Sequence, residues 1–196
     1  RGWDDGAGDE ATTSAQGVLL NSEGMTAPSY LDLIDRRTSG GRYDLTPLFA
    51  EGSALSALTD DLLAGFEGTP FDAVAGIDAL GFILGAAMAT RAGTGLVAVR
   101  KGGKLPLDTV DRCTFTDYTG AEKSLELRPA AVQSGMRVLL VDEWIETGAQ
   151  ASAAVDLIEG QGAIVVGIAA VCIDRNSKTA ALESRVPCIS VWRGDD

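Results

Sequence analysis

Val138-Leu139-Leu140-Val141-Asp142-Glu143-Trp144-Ile145-Glu146-Thr147-Gly148-Ala149-Gln150 opens as an unbroken apolar run, reaches two adjacent carboxylates and then turns at Thr147 and Gly148. An apolar run that does not alternate reads as a strand buried on both faces, here Arg137 to Asp142. Beyond the turn, Ala151, Ala154, Val155 and Ile158 fall on one side of a 3.6-residue period, which makes the following segment an amphipathic helix. Strand, tight turn and helix in succession are the repeating unit of an α/β fold.

The pattern continues in both directions. Downstream, Ile164–Ile173 and Cys188–Trp192 read as strands, with a helix over Ser177–Arg185 between them. Upstream, Asp72–Gly76 and Leu96–Arg100 read as strands flanking a nearly all-apolar helix at Gly81–Arg91. Leu55, Leu58, Leu62 and Phe66 repeat at helical spacing, and Tyr30, Leu31, Leu33 and Ile34 suggest a short helix stopped by Gly40 and Gly41. Cys113–Tyr118 and Lys123–Leu127 alternate around Gly120, which predicts a hairpin standing out from the body. Buried strands joined by helical crossovers give an α/β doubly wound sheet of mainly parallel strands with helices on both faces, and such sheets bind ligands at strand carboxyl ends.

Length and composition narrow the function classes. A chain of 196 residues suits one domain, expected over 27–196. Residues 1–26, rich in Gly, Asp, Ser and Thr, read as a flexible tail; Met25 before Thr26, Ala27 and Pro28 reads as a natural start, the residues before it as an extension. No stretch approaches the roughly 18 apolar residues of a membrane span, and a formal net charge of −12 argues against a nucleic-acid partner. With no histidine in the chain, acid–base chemistry falls to Asp, Glu, Lys or Tyr. Cys113, Cys172 and Cys188 lack paired metal-ligand spacing and read as reduced core residues of a cytoplasmic protein. Arg100, Lys101 and Lys104 gather positive charge in an otherwise acidic chain; the plainer reading of that cluster is a solvated turn.

The chemistry of the Val138–Gln150 segment follows from its parts. Open N–H groups and the dipole at a helix start suit a phosphate. Two adjacent carboxylates repel a phosphate but accept hydrogen bonds from vicinal hydroxyls such as those of a ribose. A ribose 5-phosphate site is the sharp reading, and an ordinary strand-to-helix connection with an acidic edge the bland one.

The stretch resembles the motif that binds phosphoribosyl pyrophosphate (PRPP) in type I phosphoribosyltransferases. Further blocks follow in the family's order: Asp44-Leu-Thr-Pro-Leu48, Ala75-Gly-Ile-Asp-Ala-Leu-Gly-Phe82, and Val99-Arg-Lys-Gly-Gly-Lys-Leu-Pro106, the last two similar to loops of the adenine enzymes. The resemblance implies a small N-terminal hood at about 27–50 and a flexible β-hairpin flap at about 102–128. It implies that Asp142 and Glu143 hold the ribose hydroxyls while Thr147, Gly148, Ala149 and Gln150 cradle the 5-phosphate. Asp78, Ala79, Arg100, Lys101 and Lys104 would face pyrophosphate, and Arg42 and Tyr43 the base. The implied reaction displaces pyrophosphate from PRPP by a ring nitrogen of a purine or purine-like base, adenine first. Magnesium would be bound mainly through PRPP and water, with no dedicated protein metal site, and the protein would be a homodimer.

Several positions depart from the adenine enzymes. Leu80 stands where their pyrophosphate loop commonly has Arg, Arg42 where an aromatic residue would stack on the base, and Ala149 and Gln150 where they have Gly and a hydroxyl residue. Glu146 replaces a small residue; hypoxanthine-guanine and xanthine enzymes have an Asp there, so Glu146 is the first candidate for the general base and Asp117, in the flap beside Tyr118, the second. The alternatives are a solvent-facing Glu146, a transferase using another nitrogen nucleophile, and a non-catalytic protein of the same fold that senses PRPP or a nucleotide.

Overall fold

The computed structural model describes residues 29–39, 42–117 and 119–195. The expected tail at 1–26, the glycine stop at Gly40 and Gly41, and Tyr118 lie outside the described residues. The chain enters through a 3-10 turn (Ser29–Leu33), α1 (Thr46–Ala50) and α2 (Gly52–Ala64). Then follow β1 (Ala73–Ile77), α3 (Leu80–Ala92), β2 (Gly95–Lys101), β3 (Asp111–Thr116) and β4 (Glu122–Leu127). β5 (Arg137–Ile145), α4 (Ala149–Gly160), β6 (Ile164–Arg175), α5 (Ser177–Arg185) and β7 (Cys188–Asp195) complete it.

The strands form one seven-stranded sheet in the order β3-β4-β2-β1-β5-β6-β7. β2, β1, β5, β6 and β7 run parallel, and the β3–β4 hairpin adds to the β2 edge in the antiparallel sense. The expected doubly wound sheet is therefore present. Alternation along the central strands divides the core in two. Val74, Leu139, Val141 and Ala169 pack with Leu58 and Leu62 of α2 and Leu84 and Met88 of α3. Ala75, Ile77, Leu140 and Ile168 pack with Val155 and Ile158 of α4 and Leu182 of α5. Most of these side chains have no exposed surface, so each Val, Leu, Ile and Met among them contributes about 1.5–3 kcal/mol of apolar burial.

Gly81 shows how closely α3 meets the sheet. A Cβ at that position would lie 2.9 Å from the Val141 carbonyl oxygen and 3.1 Å from Asp142 Oδ1, so only glycine lets the first turn of α3 rest on β5 at Val141 and Asp142.

Three expectations need correction. β5 does not stop at Asp142 but runs to Ile145, because Trp144 and Ile145 still pair with Cys172 and Ile173 of a β6 that is itself longer than expected. The α2 helix ends at Ala64, before Phe66. The amides of Phe66 and Glu67 bond back to Leu63 and Ala64, and Phe66 is buried from the turn instead, its ring filling the space over Gly167. The first helix is a 3-10 turn, pinned by Tyr30, whose hydroxyl donates to Asp61 Oδ2 at 2.5 Å.

Candidate functional site

At the carboxyl end of the central strands lies a cavity of about 740 Å³. One wall is the β5–α4 connection: Asp142, Trp144, Ile145, Glu146, Thr147, Gly148, Ala149, Gln150 and Ala151. The facing wall is the hairpin and the end of β2, with Lys101, Gly102, Gly103, Arg112, Thr114, Phe115, Asp117, Glu122, Lys123 and Ser124; Arg42 reaches in from the N-terminal segment.

Among the described residues, the side chain that reaches an amide at the start of α4 is that of Thr147, whose Oγ1 accepts a long hydrogen bond from the Ala149 amide at 3.4 Å. Gly148 has φ +74, a left-handed conformation that favours glycine, and it caps α4 without any side-chain hydrogen bond. The first turn of α4 carries no acidic residue, so no carboxylate competes there for an anion. Ala149 begins the helix itself, which is why a residue with a Cβ is accommodated in the loop.

Asp142 is only 2% exposed. Its Oδ1 accepts from the Glu143 amide at 2.9 Å and its Oδ2 from Gln150 Nε2 at 3.0 Å. Burial, and next the neighbouring Glu143 charge, hold its carboxyl well above the usual carboxylate range, so the group resists ionisation. Glu146 Oε2 accepts from Arg42 Nε at 3.0 Å, closing an ion pair across the mouth of the cavity. Behind the turn, Asn176 Nδ2 donates to the Glu146 carbonyl at 2.7 Å.

On the facing wall, Glu126 is nearly fully buried and organises the basic loop. It accepts from the Gly103 amide, then from Arg112 at 2.6 Å and from the Leu105 amide, and these bonds lower its pKa. Asp117 is committed locally: its Oδ1 accepts from Thr119 Oγ1 at 2.6 Å and from the amides of Thr119 and Ala121, which also lowers its pKa.

Of the residues singled out in the sequence, Arg42, Lys101, Asp117, Asp142, Glu146, Thr147, Gly148, Ala149 and Gln150 line this one cavity. Glu143, half-buried in β5, does not line it, nor do Tyr43, Asp78, Ala79, Arg100 and Lys104. Tyr43 stacks on Trp192 with centroids 5.5 Å apart and meets Trp144 edge-on. Asp78 and Ala79 are joined by a cis peptide at the start of α3, and Asp78 Oδ2 accepts from Arg100 Nε at 3.0 Å, tying the β1 and β2 loops together. Lys104 is exposed on the basic loop. Arg112, Lys123 and Trp144 were not singled out in advance. The alternation of the hairpin is the signal that would have found the first, since Arg112 and Thr114 share one face of β3.

Strand carboxyl ends that open on an uncapped helix start, with a buried carboxyl on one side and cations on the other, define an α/β protein that handles a sugar phosphate. Residues 52–194 match the phosphoribosyl transferase domain model, and the chain belongs to that family. It is 42% identical over 152 residues to the adenine phosphoribosyltransferase of Streptomyces galbus, covering 77% of this chain and 82% of that protein. Among solved structures, the adenine phosphoribosyltransferase of Giardia lamblia complexed with 9-deazaadenine matches with a TM-score of 0.75 at 29% identity, over 87% of this chain and 98% of that one. The enzyme of Rhodothermus marinus matches with a TM-score of 0.73 at 29% identity, over 84% and 96%. The protein is thus a PRPP-dependent phosphoribosyltransferase, a pentosyltransferase, and nothing in these matches supports a non-catalytic sensor.

Proposed function

We propose that the protein transfers the 5-phosphoribosyl group of PRPP to adenine, with the cavity between the β5–α4 turn and the hairpin as its active site. The observation that carries this reading is the convergence on one cavity of a buried ribose-type carboxyl, Asp142, an uncapped helix start at Gly148–Ala151, and the cations Lys101, Arg112 and Lys123.

In this reading the amides of Thr147 to Gln150 hold the 5-phosphate and Asp142 and Glu143 accept from the ribose hydroxyls. Lys101 and Lys104 stand toward pyrophosphate, while the Asp78–Arg100 pair fixes the loop at the start of α3 beside Asp142. A ring nitrogen of the base then forms the bond to C1′ as the bond from C1′ to pyrophosphate breaks, and pyrophosphate leaves with the electron pair. The proton lost by the ring nitrogen goes to a carboxylate. Glu146 suits that role better than Asp117, whose Oδ1 is bound into its own turn. Arg42, paired to Glu146, forms the edge that the base meets, and Tyr43, outside the cavity, supports it through its edge-on contact with Trp144.

The residues fit magnesium only as a passenger on PRPP. Among the described residues no group of three or more His, Cys, Asp and Glu side chains could hold a metal ion, so ligand oxygens and water would complete its shell. When bound it supplies neutralisation of the charge that develops on pyrophosphate. The β3–β4 hairpin would act as a flap that excludes water from the ribosyl centre, and residues up to about 50 as a hood over the base. A homodimer working in the cytoplasm is part of the same proposal; among the described residues no helix is long and apolar enough to cross a membrane.

Pyrophosphate release from PRPP, assayed with adenine, hypoxanthine, guanine, xanthine and no base, tests it. Release with adenine well above the other arms is expected. Release only with a 6-oxopurine would move the specificity to Glu146 and Arg42, and no release with any base would overturn the reading.

A further inference from the structure

Asn176 holds two structures at once. Its Oδ1 accepts from the amides of Lys178 and Thr179 at 3.0 Å each, capping α5, and the Thr179 hydroxyl accepts from the Asn176 amide at 3.1 Å to complete a capping box. Because those two amides can only donate, the side-chain oxygen must face them and the nitrogen must face the other way. That nitrogen donates to the carbonyl of Glu146 at 2.7 Å. The corner is otherwise rigid: Thr179 is buried and its hydroxyl lies 2.7 Å from the Asp174 carbonyl, while buried Asp174 accepts from Trp144 Nε1 at 3.0 Å. The α5 helix also backs the turn directly, since a Cβ on Gly148 would meet Leu182 at 3.4 Å.

We infer that Asn176 is a positioning residue for the phosphate-binding turn, setting the direction of the peptide between Glu146 and Thr147. That peptide is trans, so its C=O and N–H point in opposite directions. With the Glu146 carbonyl drawn toward α5, the Thr147 amide is turned away from α5, on a residue that lines the cavity. An amide aimed before the ligand arrives loses little freedom on binding. The inference rests on the proposal that this turn holds the 5-phosphate.

The test separates capping from aiming. Asn176→Asp keeps both cap acceptors, since Asp caps as well as Asn, but it presents an oxygen to the Glu146 carbonyl in place of a donor. Asn176→Ser keeps a cap acceptor and cannot span to that carbonyl. Both variants are expected to hold the wild-type Tm within about 3 °C, with KM for PRPP raised roughly tenfold and kcat changed far less. Gly148→Ala, measured alongside, disturbs the turn itself by placing a Cβ on a residue at φ +74. Wild-type KM in both Asn176 variants with a raised KM in Gly148→Ala would overturn the role of Asn176 and leave the turn as the phosphate site. Wild-type KM in all three would sink the turn as the phosphate site as well. A lowered Tm in both Asn176 variants, with unchanged kinetic constants for the folded fraction, would reduce Asn176 to a helix cap and overturn the inference.

Discussion

Asp142→Asn should make the protein more stable and a worse enzyme. The folded chain holds the Asp142 carboxyl, 2% exposed and beside Glu143, well above the usual range, whereas in the unfolded chain it ionises near pH 4. Below the unfolded pKa both states are protonated and nothing is lost. As pH rises through it the unfolded state ionises first and is favoured, so the burial of this acid costs stability at neutral pH. Each tenfold difference in acidity between the folded and unfolded states corresponds to about 1.4 kcal/mol, or roughly 3–6 °C in Tm for a chain of this size. Asparagine removes that cost, and a flip of the Gln150 amide keeps the contact at Oδ2. The gain should therefore be present at pH 7 and vanish near pH 3. The same change removes a charged acceptor for a ribose hydroxyl, worth about 1.5–3 kcal/mol, so KM for PRPP should rise roughly ten- to a hundredfold. Because a ligand that binds the ionised carboxyl draws its proton off, wild-type affinity for PRPP should also climb with pH, and that dependence should flatten in the variant. Thermal unfolding at pH 3 and 7, with PRPP saturation curves across pH, checks all of this. A variant less stable at pH 7, or one with unaltered KM for PRPP, would refute the argument.

Glu146→Gln keeps a hydrogen-bond partner for Arg42 but cannot take a proton, so turnover with the preferred base should fall about a hundredfold or more; unchanged rates against a purine panel would remove Glu146 as the base. Gly148→Ala places a Cβ in a left-handed residue at φ +74, which should cost about 1–2 kcal/mol, seen as a Tm lowered by roughly 2–8 °C together with weaker PRPP binding. Lys101→Ala removes a cation from the cavity wall without touching the core, so KM for PRPP should rise by roughly tenfold or less and its salt dependence should weaken while Tm holds.

What could be read in the sequence was whatever depends on neighbours along the chain. The apolar run Val138–Val141 and the helical face of Ala151, Ala154, Val155 and Ile158 define β5 and α4 without any knowledge of the rest. The true end of β5 was not legible because Asp142 and Glu143 look like a strand terminus. They continue the strand only because Trp144 and Ile145 find Cys172 and Ile173 in β6. The site divides in the same way. Thr147 to Gln150 lie in one turn and could be assigned together, whereas Arg112 and Lys123 reach the cavity only through the pairing of β3 with β4. Tyr43 was expected at the base, and its stacking on Trp192 reflects a contact with the last strand that no local pattern encodes. The acceptor of Asn176, the Glu146 carbonyl, is likewise invisible before folding brings α5 behind the β5–α4 turn.

The most direct test of the central claim is a crystal structure of the protein with PRPP and magnesium. The 5-phosphate should rest against the amides of Thr147 to Gln150, with the ribose hydroxyls at Asp142 and Glu143 and the pyrophosphate toward Lys101. A phosphate bound elsewhere, with Asp142 still sealed against Gln150 and untouched by the sugar, would contradict it.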